Sequence, residues 1–178
     1  MVRHYDLSDK DDWITPPELI DDIQRAVTID IDPCAHEQTS HGTVNLRLED
    51  GDDGLEADWV DETDVDNPVA YVNPPFSYKT EWLQKVVEER QNGLQTAIVV
   101  TPDGTDVISW YHGYIAKHST VQCFCKGRVS YVEDGEKAGS PTFGTMITVF
   151  GDCPPELLDV LNEWGQVVKT IESADAIA

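Results

Sequence analysis

The sequence predicts an α/β fold, a mostly parallel sheet with helices on both faces, in a single domain over residues 1–178. Three observations carry that prediction. Short apolar runs alternate with amphipathic helical stretches, the pattern of strand–helix–strand crossovers. One run, Thr96–Val100, is apolar throughout after its first residue, as a strand covered on both faces should be. And 178 residues with 40% apolar content suffice for a core without disulfide or metal staples.

The elements follow in order. Residues 1–14 form a polar lead-in that ends at Trp13-Ile14. Thr15-Pro16-Pro17-Glu18 reads as a helix start, with Thr15 as cap, proline in the first turn and Glu18 completing a capping box. Leu19, Ile20, Ile23 and Val27 then share one helical face. A short alternating strand, Thr28–Ile31, runs into Asp32-Pro33-Cys34-Ala35. Residues 36–66 are acidic and loop-rich, with a short strand near Val44–Leu48. Val69–Val72 is a strand that ends at Asn73-Pro74-Pro75-Phe76, and Glu81–Gln91 is helical. After Thr96–Val100 come a helix, Val107–Lys117, and strands at Val121–Cys125 and Val129–Val132. A turn-rich stretch, Glu133–Thr142, precedes the strand Phe143–Phe150, the helix Pro154–Trp164 and a last strand, Val167–Ile171. Pro-Pro-Glu-Leu occurs at 16–19 and again at 154–157, two similar helix starts and not a repeat. Sheets of this kind bind ligands at the carboxyl ends of their strands, where Asp32–Ala35 and Asn73–Phe76 both fall.

Composition narrows the function. There are 34 Asp and Glu against 12 Lys and Arg, a net charge of −22, where a general nucleic-acid binder usually carries a basic face. No apolar run approaches the ~20 residues of a membrane span, and Met1–Asp12 lacks a signal-peptide pattern, so a cytoplasmic protein is expected. Four cysteines are too few for a disulfide scaffold of this length. Two readings of the acidity compete: a protein that repels or mimics DNA, and adaptation to molar salt, where the Debye length falls to about 3 Å and self-repulsion is screened. Dispersal of the acids over a globular pattern favours the second. The charge is also unevenly placed: residues 1–66 carry −16, residues 133–178 carry −7, and residues 67–132 carry +1, with no acid from Val107 to Val132. That spared region is either core or faces something negative.

Asn73-Pro74-Pro75-Phe76 has a definite chemical use. The exocyclic amine of a nucleobase is a poor nucleophile because its lone pair is delocalised into the ring. Two acceptors fixed opposite its N–H bonds, the Asn73 side-chain oxygen and the Pro74 carbonyl, draw the nitrogen toward tetrahedral geometry. Pro74 and Pro75 fix φ and so preorganise the acceptors. Phe76 offers a face to a flipped base, and the freed lone pair attacks a methyl group held in line. The competing reading is a proline-rich turn.

At this point the chain resembles the phage-type DNA N6-adenine methyltransferases, which depend on S-adenosylmethionine. The resemblance runs from about Asp12 to Phe150. It rests on Asp12-Trp13-Ile14-Thr15-Pro16, Asp32-Pro33-Cys34-Ala35, Asp53-Gly54-Leu55 with Trp59, Asn73–Ser77, Thr101-Pro102, Trp110, Gly127-Arg128 and the Gly139–Phe150 region, in that order. It implies a Rossmann-like methyltransferase fold, mostly parallel, with an antiparallel C-terminal hairpin and without a separate target-recognition domain. It further implies that Thr15 and Pro16 line the methionine end of the cofactor, with Trp13 as a further contact. Asp32, Pro33, Cys34 and Ala35 would form the loop near the cofactor's amino acid and ribose. Asp53 would accept a hydrogen bond from the cofactor's adenine amino group, with Leu55 packed beside it, and Asn73–Phe76 would hold the target adenine. Asn at the first catalytic position, rather than Ser, points to adenine N6 over cytosine N4. One departure stands out: His36-Glu37-Gln38 occupies the place of the Gly-x-Gly loop common in methyltransferases. Glu37 and Glu49 are alternative acids for the ribose hydroxyls.

Other residues are weighed on their own. Cys123 and Cys125 share a strand face but lack a second ligand pair at zinc spacing, and no metal is expected. His36 and His41 read as loop residues. Lys117, Lys126 and Arg128 survive where lysine is scarce and are candidates for phosphate contact, as is Lys79; Tyr78 is a candidate to stack in the gap left by the base. The expected activity is transfer of methyl from S-adenosylmethionine to adenine N6 in double-stranded DNA, in a haloarchaeal virus or host, for protection from restriction. Recognition would come from loops 36–66, 78–80 and 133–142 or from a homodimer. The alternatives are a methyltransferase of the same fold acting on RNA or on protein glutamine, and a non-catalytic acidic binding module.

Overall fold

A computed structural model describes residues 13–133, 136–137 and 141–171. The lead-in before Trp13 and residues 134–135 and 138–140 of the turn-rich stretch, Gly139 among them, lie outside the described residues. The elements, in chain order, are α1 (Pro17–Ala26), β1 (Ile31–Asp32), β2 (Val44–Asn45), β3 (Val69–Val72), α2 (Lys79–Asn92), β4 (Thr96–Pro102), a π-wound helix (Ile108–Ile115) that continues as the single turn α3 (Ala116–His118), β5 (Val121–Cys125), β6 (Val132–Glu133), β7 (Glu136–Lys137), β8 (Thr145–Gly151), α4 (Pro155–Trp164) and β9 (Gly165–Lys169). Single 3₁₀ turns lie at Leu48–Asp50 and Phe76–Tyr78.

Seven strands form one sheet in the order β2-β1-β3-β4-β8-β5-β9, and β6 with β7 makes a separate two-stranded ribbon. The pairs β2/β1, β1/β3 and β3/β4 are parallel; β4/β8, β8/β5 and β5/β9 are antiparallel. Five of the seven strands therefore point the same way. The antiparallel element expected at the C-terminal end takes a particular form. β8 inserts between β4 and β5, β9 forms the outer edge beyond β5, and β8 and β9 do not pair with each other.

Alternation across the pleat sends side chains to two cores. Tyr71, Ile98, Val100, Cys123, Ile147 and Val149 face α1 and α4, where they meet Leu19, Ile23, Leu157 and Leu161. Ala70, Val72, Ala97, Val99 and Met146 face α2 and the π-wound helix, where they meet Trp82, Leu83, Val86, Trp110 and Ile115. The two Pro-Pro-Glu-Leu segments begin α1 and α4, each with proline in the first turn. These helices lie on the same face, joined by Trp164 Nε1 donating to Asp22 at 2.8 Å.

Some expectations shift. The first strand is shorter than Thr28–Ile31, and Val129–Val132 pairs only at its end, where Val132 bridges to Ile14. α1 is not capped by Thr15: the N-cap is Pro16, with no side-chain bond. The Thr15 hydroxyl instead shares a hydrogen bond with the Tyr71 phenol at 2.5 Å. A long-range buried partner outcompeted the local cap.

Candidate functional site

A cleft of about 390 Å³ opens at the carboxyl edge of the parallel strands, within the range of small-ligand sites. Three chain segments wall it. Trp13–Thr15 enters ahead of α1, residues 32–54 wrap from β1 round past β2, and Asn73 and Pro75 follow β3, with Trp82 of α2 behind them. Of the residues singled out in the sequence, Trp13, Thr15, Asp32, Pro33, Cys34, Ala35, Asp53, Asn73 and Pro75 line this one cleft. Pro16 and Leu55 lie behind its wall; Leu55 packs against the core under α2. Pro74 is buried.

Asn73 sits in a particular way. Its Nδ2 donates to the Trp13 carbonyl at 2.6 Å. A carbonyl can only accept, so this bond fixes which way the amide faces. Oδ1 is then left buried with no hydrogen-bond partner, although a buried acceptor of this kind costs about 1–3 kcal/mol when unpaired. Phe76 stands at the edge of the cleft within a cluster of rings. It meets Tyr131 at 6.2 Å and Phe143 at 5.5 Å, both edge-on. Trp13 meets the same two rings at 5.3 and 5.6 Å. Tyr131 and Phe143 were missed in the sequence, because nothing local ties them to residues 55 and 67 positions earlier; the one available signal was an aromatic in the acid-free stretch.

The Asp32 side chain is buried and its two oxygens are both used. Oδ1 accepts from the Cys34 N–H at 3.3 Å, and Oδ2 lies 3.0 Å from His41 Nδ1. His41 also packs edge-on against Tyr71. So His41, read in sequence as a loop residue, belongs to the cleft wall. Burial, then the Asp32 charge, pushes the Cys34 thiol up from its ordinary value, so Cys34 stays a neutral thiol. Burial likewise pushes the Tyr71 phenol up, opposed by its bond to Thr15.

Across the cleft, Asp53 Oδ1 accepts from the Leu55 N–H at 3.0 Å, and Trp59 Nε1 donates to the Gly54 carbonyl at 2.7 Å. Gly54 is needed for close approach: a Cβ there would stand 1.9 Å from the Pro33 carbonyl oxygen. The loop of residues 32–35 and the turn at 53–55 thus approach each other backbone against backbone. Five carboxylates line the cleft (Asp32, Glu37, Glu49, Asp52, Asp53), and among the described residues no Lys or Arg does.

The basic candidates separate. Lys126 and Arg128 are exposed on the turn that leaves the carboxyl end of β5. Gly127 between them has φ +74°, and the Lys126 N–H is pinned to the Trp164 carbonyl at 2.9 Å. Lys117 precedes β5 and so lies at the other end of that strand; the structure does not bring it to the same edge. Lys79 donates to the Phe76 carbonyl at 2.6 Å and lies 5.6 Å from the Trp110 ring. Tyr78 packs against the α2-side core. These two residues brace the tetrapeptide from behind. Among the described residues, no three His, Cys, Asp or Glu side chains cluster as a metal site would require.

Fold and site together define a Rossmann-like α/β protein with a ligand cleft at the carboxyl edge and an amide-headed Asn-Pro-Pro-Phe beside it, the arrangement of an amino-group methyltransferase. A family model described as DNA N-6-adenine-methyltransferase (Dam) matches residues 3–153, and the chain belongs to that family. No curated protein matches the chain.

Proposed function

We propose that the chain binds S-adenosylmethionine in this cleft and methylates N6 of adenine in double-stranded DNA, and that it works in molar salt. The observation that carries the reading is the Asn73 amide, with Nδ2 held by Trp13 and Oδ1 buried without a partner. An acceptor kept unpaired at a cost is suited to a substrate N–H that arrives later.

The residues present fit the cofactor. A cleft lined by five carboxylates and, among the described residues, by no Lys or Arg repels phosphates and suits a small cation. That disfavours a nucleotide or dinucleotide and favours a ligand with sulfonium and ammonium charges. Bound there, S-adenosylmethionine would supply an electrophilic methyl group on its cationic sulfur. Asp32 would face the ammonium, held in place by His41; Asp53 would accept from the cofactor's adenine amine; Glu37 or Glu49 would bind the ribose hydroxyls. Trp13, Thr15, Pro33, Cys34 and Ala35 would supply the remaining wall.

On the substrate side, Asn73 Oδ1 and the Pro74 carbonyl accept the two N6 hydrogens. This pulls the nitrogen lone pair out of conjugation as attack proceeds. Phe76, fixed by Tyr131 and Phe143, stacks on the extruded base. The proton leaves only after the nitrogen has become cationic, so no strong base is required. Lys126 and Arg128, exposed at the same edge, would meet phosphates.

The test is methyl transfer in roughly 2–3 M KCl, where the Debye length is only a few ångström, with DNA, RNA and protein offered separately. The expected result is label in DNA adenine alone. Asn73→Ala should lower kcat by about 10²–10³, the usual cost of one preorganised donor or acceptor, with S-adenosylhomocysteine affinity nearly unchanged. Label confined to RNA or protein, or a near-normal rate in Asn73→Ala, would reject the reading.

A further inference from the structure

We propose that Arg47 is a positioning residue that builds, from outside the cleft, the wall that a glycine-rich loop makes in other methyltransferases. The proposal rests on the cleft being the cofactor site. Residues 36–41 follow Asp32–Ala35 without a glycine, and none of them has positive φ. A loop of that kind cannot curl on backbone freedom alone. Its turned-in carbonyls need donors.

Arg47 supplies them. Its Nε donates to the His36 carbonyl at 3.3 Å. One terminal nitrogen donates to the Thr39 carbonyl and, at 2.8 Å, to Ser40 Oγ. The loop's own bonds complete the turn: the Thr39 N–H reaches the His36 carbonyl at 3.0 Å, and His36 Nδ1 accepts from the Gln38 N–H at 3.1 Å. At the far end, His41 Nδ1 meets Asp32 Oδ2, and Gln24 Nε2 donates to the His41 carbonyl at 2.9 Å. The base of Arg47 is registered to the same loop, because Leu46 exchanges backbone bonds with Asp32 and Ala35 at 2.9 and 3.1 Å. His36, Glu37, Thr39 and His41 line the cleft, whereas Arg47 does not. It shapes the wall without touching what binds there.

The choice of arginine has a physical reason. A planar fork can serve several oxygens at fixed angles, and a lysine ammonium cannot. The acceptors are neutral oxygens. Salt that screens an ion pair leaves this geometry in place, which suits a chain of net charge −22.

The experiment compares wild type with Arg47→Lys and with Ser40→Ala, which removes one of the Arg47 acceptors and does not line the cleft. Each is measured without ligand by amide hydrogen exchange over residues 36–41, by thermal melting, and by calorimetric binding of S-adenosylhomocysteine. Local opening should rise by about tenfold in 36–41 while β3 and β4 keep their protection. Loss of preorganisation should weaken S-adenosylhomocysteine by about tenfold, with the cofactor KM rising and kcat at saturation held. Exchange and affinity within twofold of wild type in Arg47→Lys would overturn the proposal. Should Arg47→Lys melt globally, Ser40→Ala decides by the same two readouts, with a smaller expected change because one of the Arg47 bonds is lost. If wild type itself does not bind S-adenosylhomocysteine, the cofactor reading fails, and exchange alone shows whether Arg47 still braces the loop.

Discussion

The two halves of the sheet do different work. β2, β1, β3 and β4 run parallel, and among the described residues the cleft lining belongs to the chain between Trp13 and Trp82 that builds this half. β8, β5 and β9 run antiparallel and add none. Parallel strands all exit at one edge, so their following loops gather there and can build a site. Antiparallel strands exit alternately, so half of their loops leave by the other edge. What the second half contributes is indirect: Tyr131 and Phe143, between β5 and β8, hold Phe76 and Trp13 from the side. The charge follows the same division in part. The described part of the most acidic stretch, residues 13–66, supplies most of the cleft wall, and the exposed bases Lys126 and Arg128 stand on the antiparallel side.

The largest effect is expected where the parallel half depends on a buried charge. Glu89 of α2 is fully buried. It accepts from the Trp59 N–H at 3.0 Å and pairs with Lys85 at 2.6 Å. It thereby ties α2 to the segment that carries Asp53 and Gly54. Glu89→Ala leaves Lys85 unpaired in a nearly dry setting, which costs about 3–5 kcal/mol. Thermal melting in high salt should show a fall of roughly 6–20 °C at 2–4 °C per kcal/mol, and cofactor affinity should fall with it. A shift within 2 °C would mean that the cleft's far wall stands without this tie.

The contrast between the halves also explains what could be read from the chain beforehand. Asn73–Phe76 and Asp32–Ala35 are contiguous, and each sits at a strand end. Their place was therefore visible, and Asp32–Ala35, Asn73 and Pro75 line the cleft. β3, β4 and β5 were legible because unbroken or β-branched apolar runs report burial directly. Thr15 was misread as a helix cap, since its true partner, Tyr71, is 56 positions away. Nothing local to His41, Tyr131 or Phe143 names the partners they meet, since those are recruited by packing across the fold. Lys79 and Tyr78 follow the tetrapeptide in sequence, yet the 3₁₀ turn at Phe76–Tyr78 directs them into the brace behind it. The order of strands was equally hidden: periodicity marks β8 as a strand but not its insertion between β4 and β5.

An intermediate effect should appear at the seam between the halves. Phe143→Ala removes the edge contacts to both Phe76 and Trp13 without touching any cleft-lining residue except through Trp13. On the proposed mechanism the apparent KM for adenine-containing DNA rises about tenfold, the scale of one base–aromatic contact of 1–3 kcal/mol, while S-adenosylhomocysteine affinity stays within threefold. Equal losses of both would show that the ring cluster supports the whole edge, and the division between a cofactor half and a base half would collapse.

The smallest effect concerns alkaline pH, and both halves contribute to it. Burial first pushes up the ionisations of Cys34 and Tyr71 in the parallel half, of Tyr131 beside the antiparallel half and of Cys153, and the hydrogen bond with Cys123 pushes up that of Cys125 on β5. A folded-state value above the unfolded one means that the native chain holds its proton longer. The associated stability is complete below the unfolded value and is lost as pH rises through the folded one. Unfolded cysteine titrates near 8.5 and unfolded tyrosine near 10. The melting temperature should therefore hold level to about pH 8, begin to fall as Cys34, Cys125 and Cys153 enter their window, and fall more steeply above about pH 10 as both phenols enter theirs. Cys34→Ala should reduce the early slope without abolishing it, because Cys125 and Cys153 still titrate there, and Tyr131→Phe should leave the early slope in place and reduce only the later one. An early slope that ignores Cys34→Ala would mean that the thiol of the parallel half carries none of the early loss.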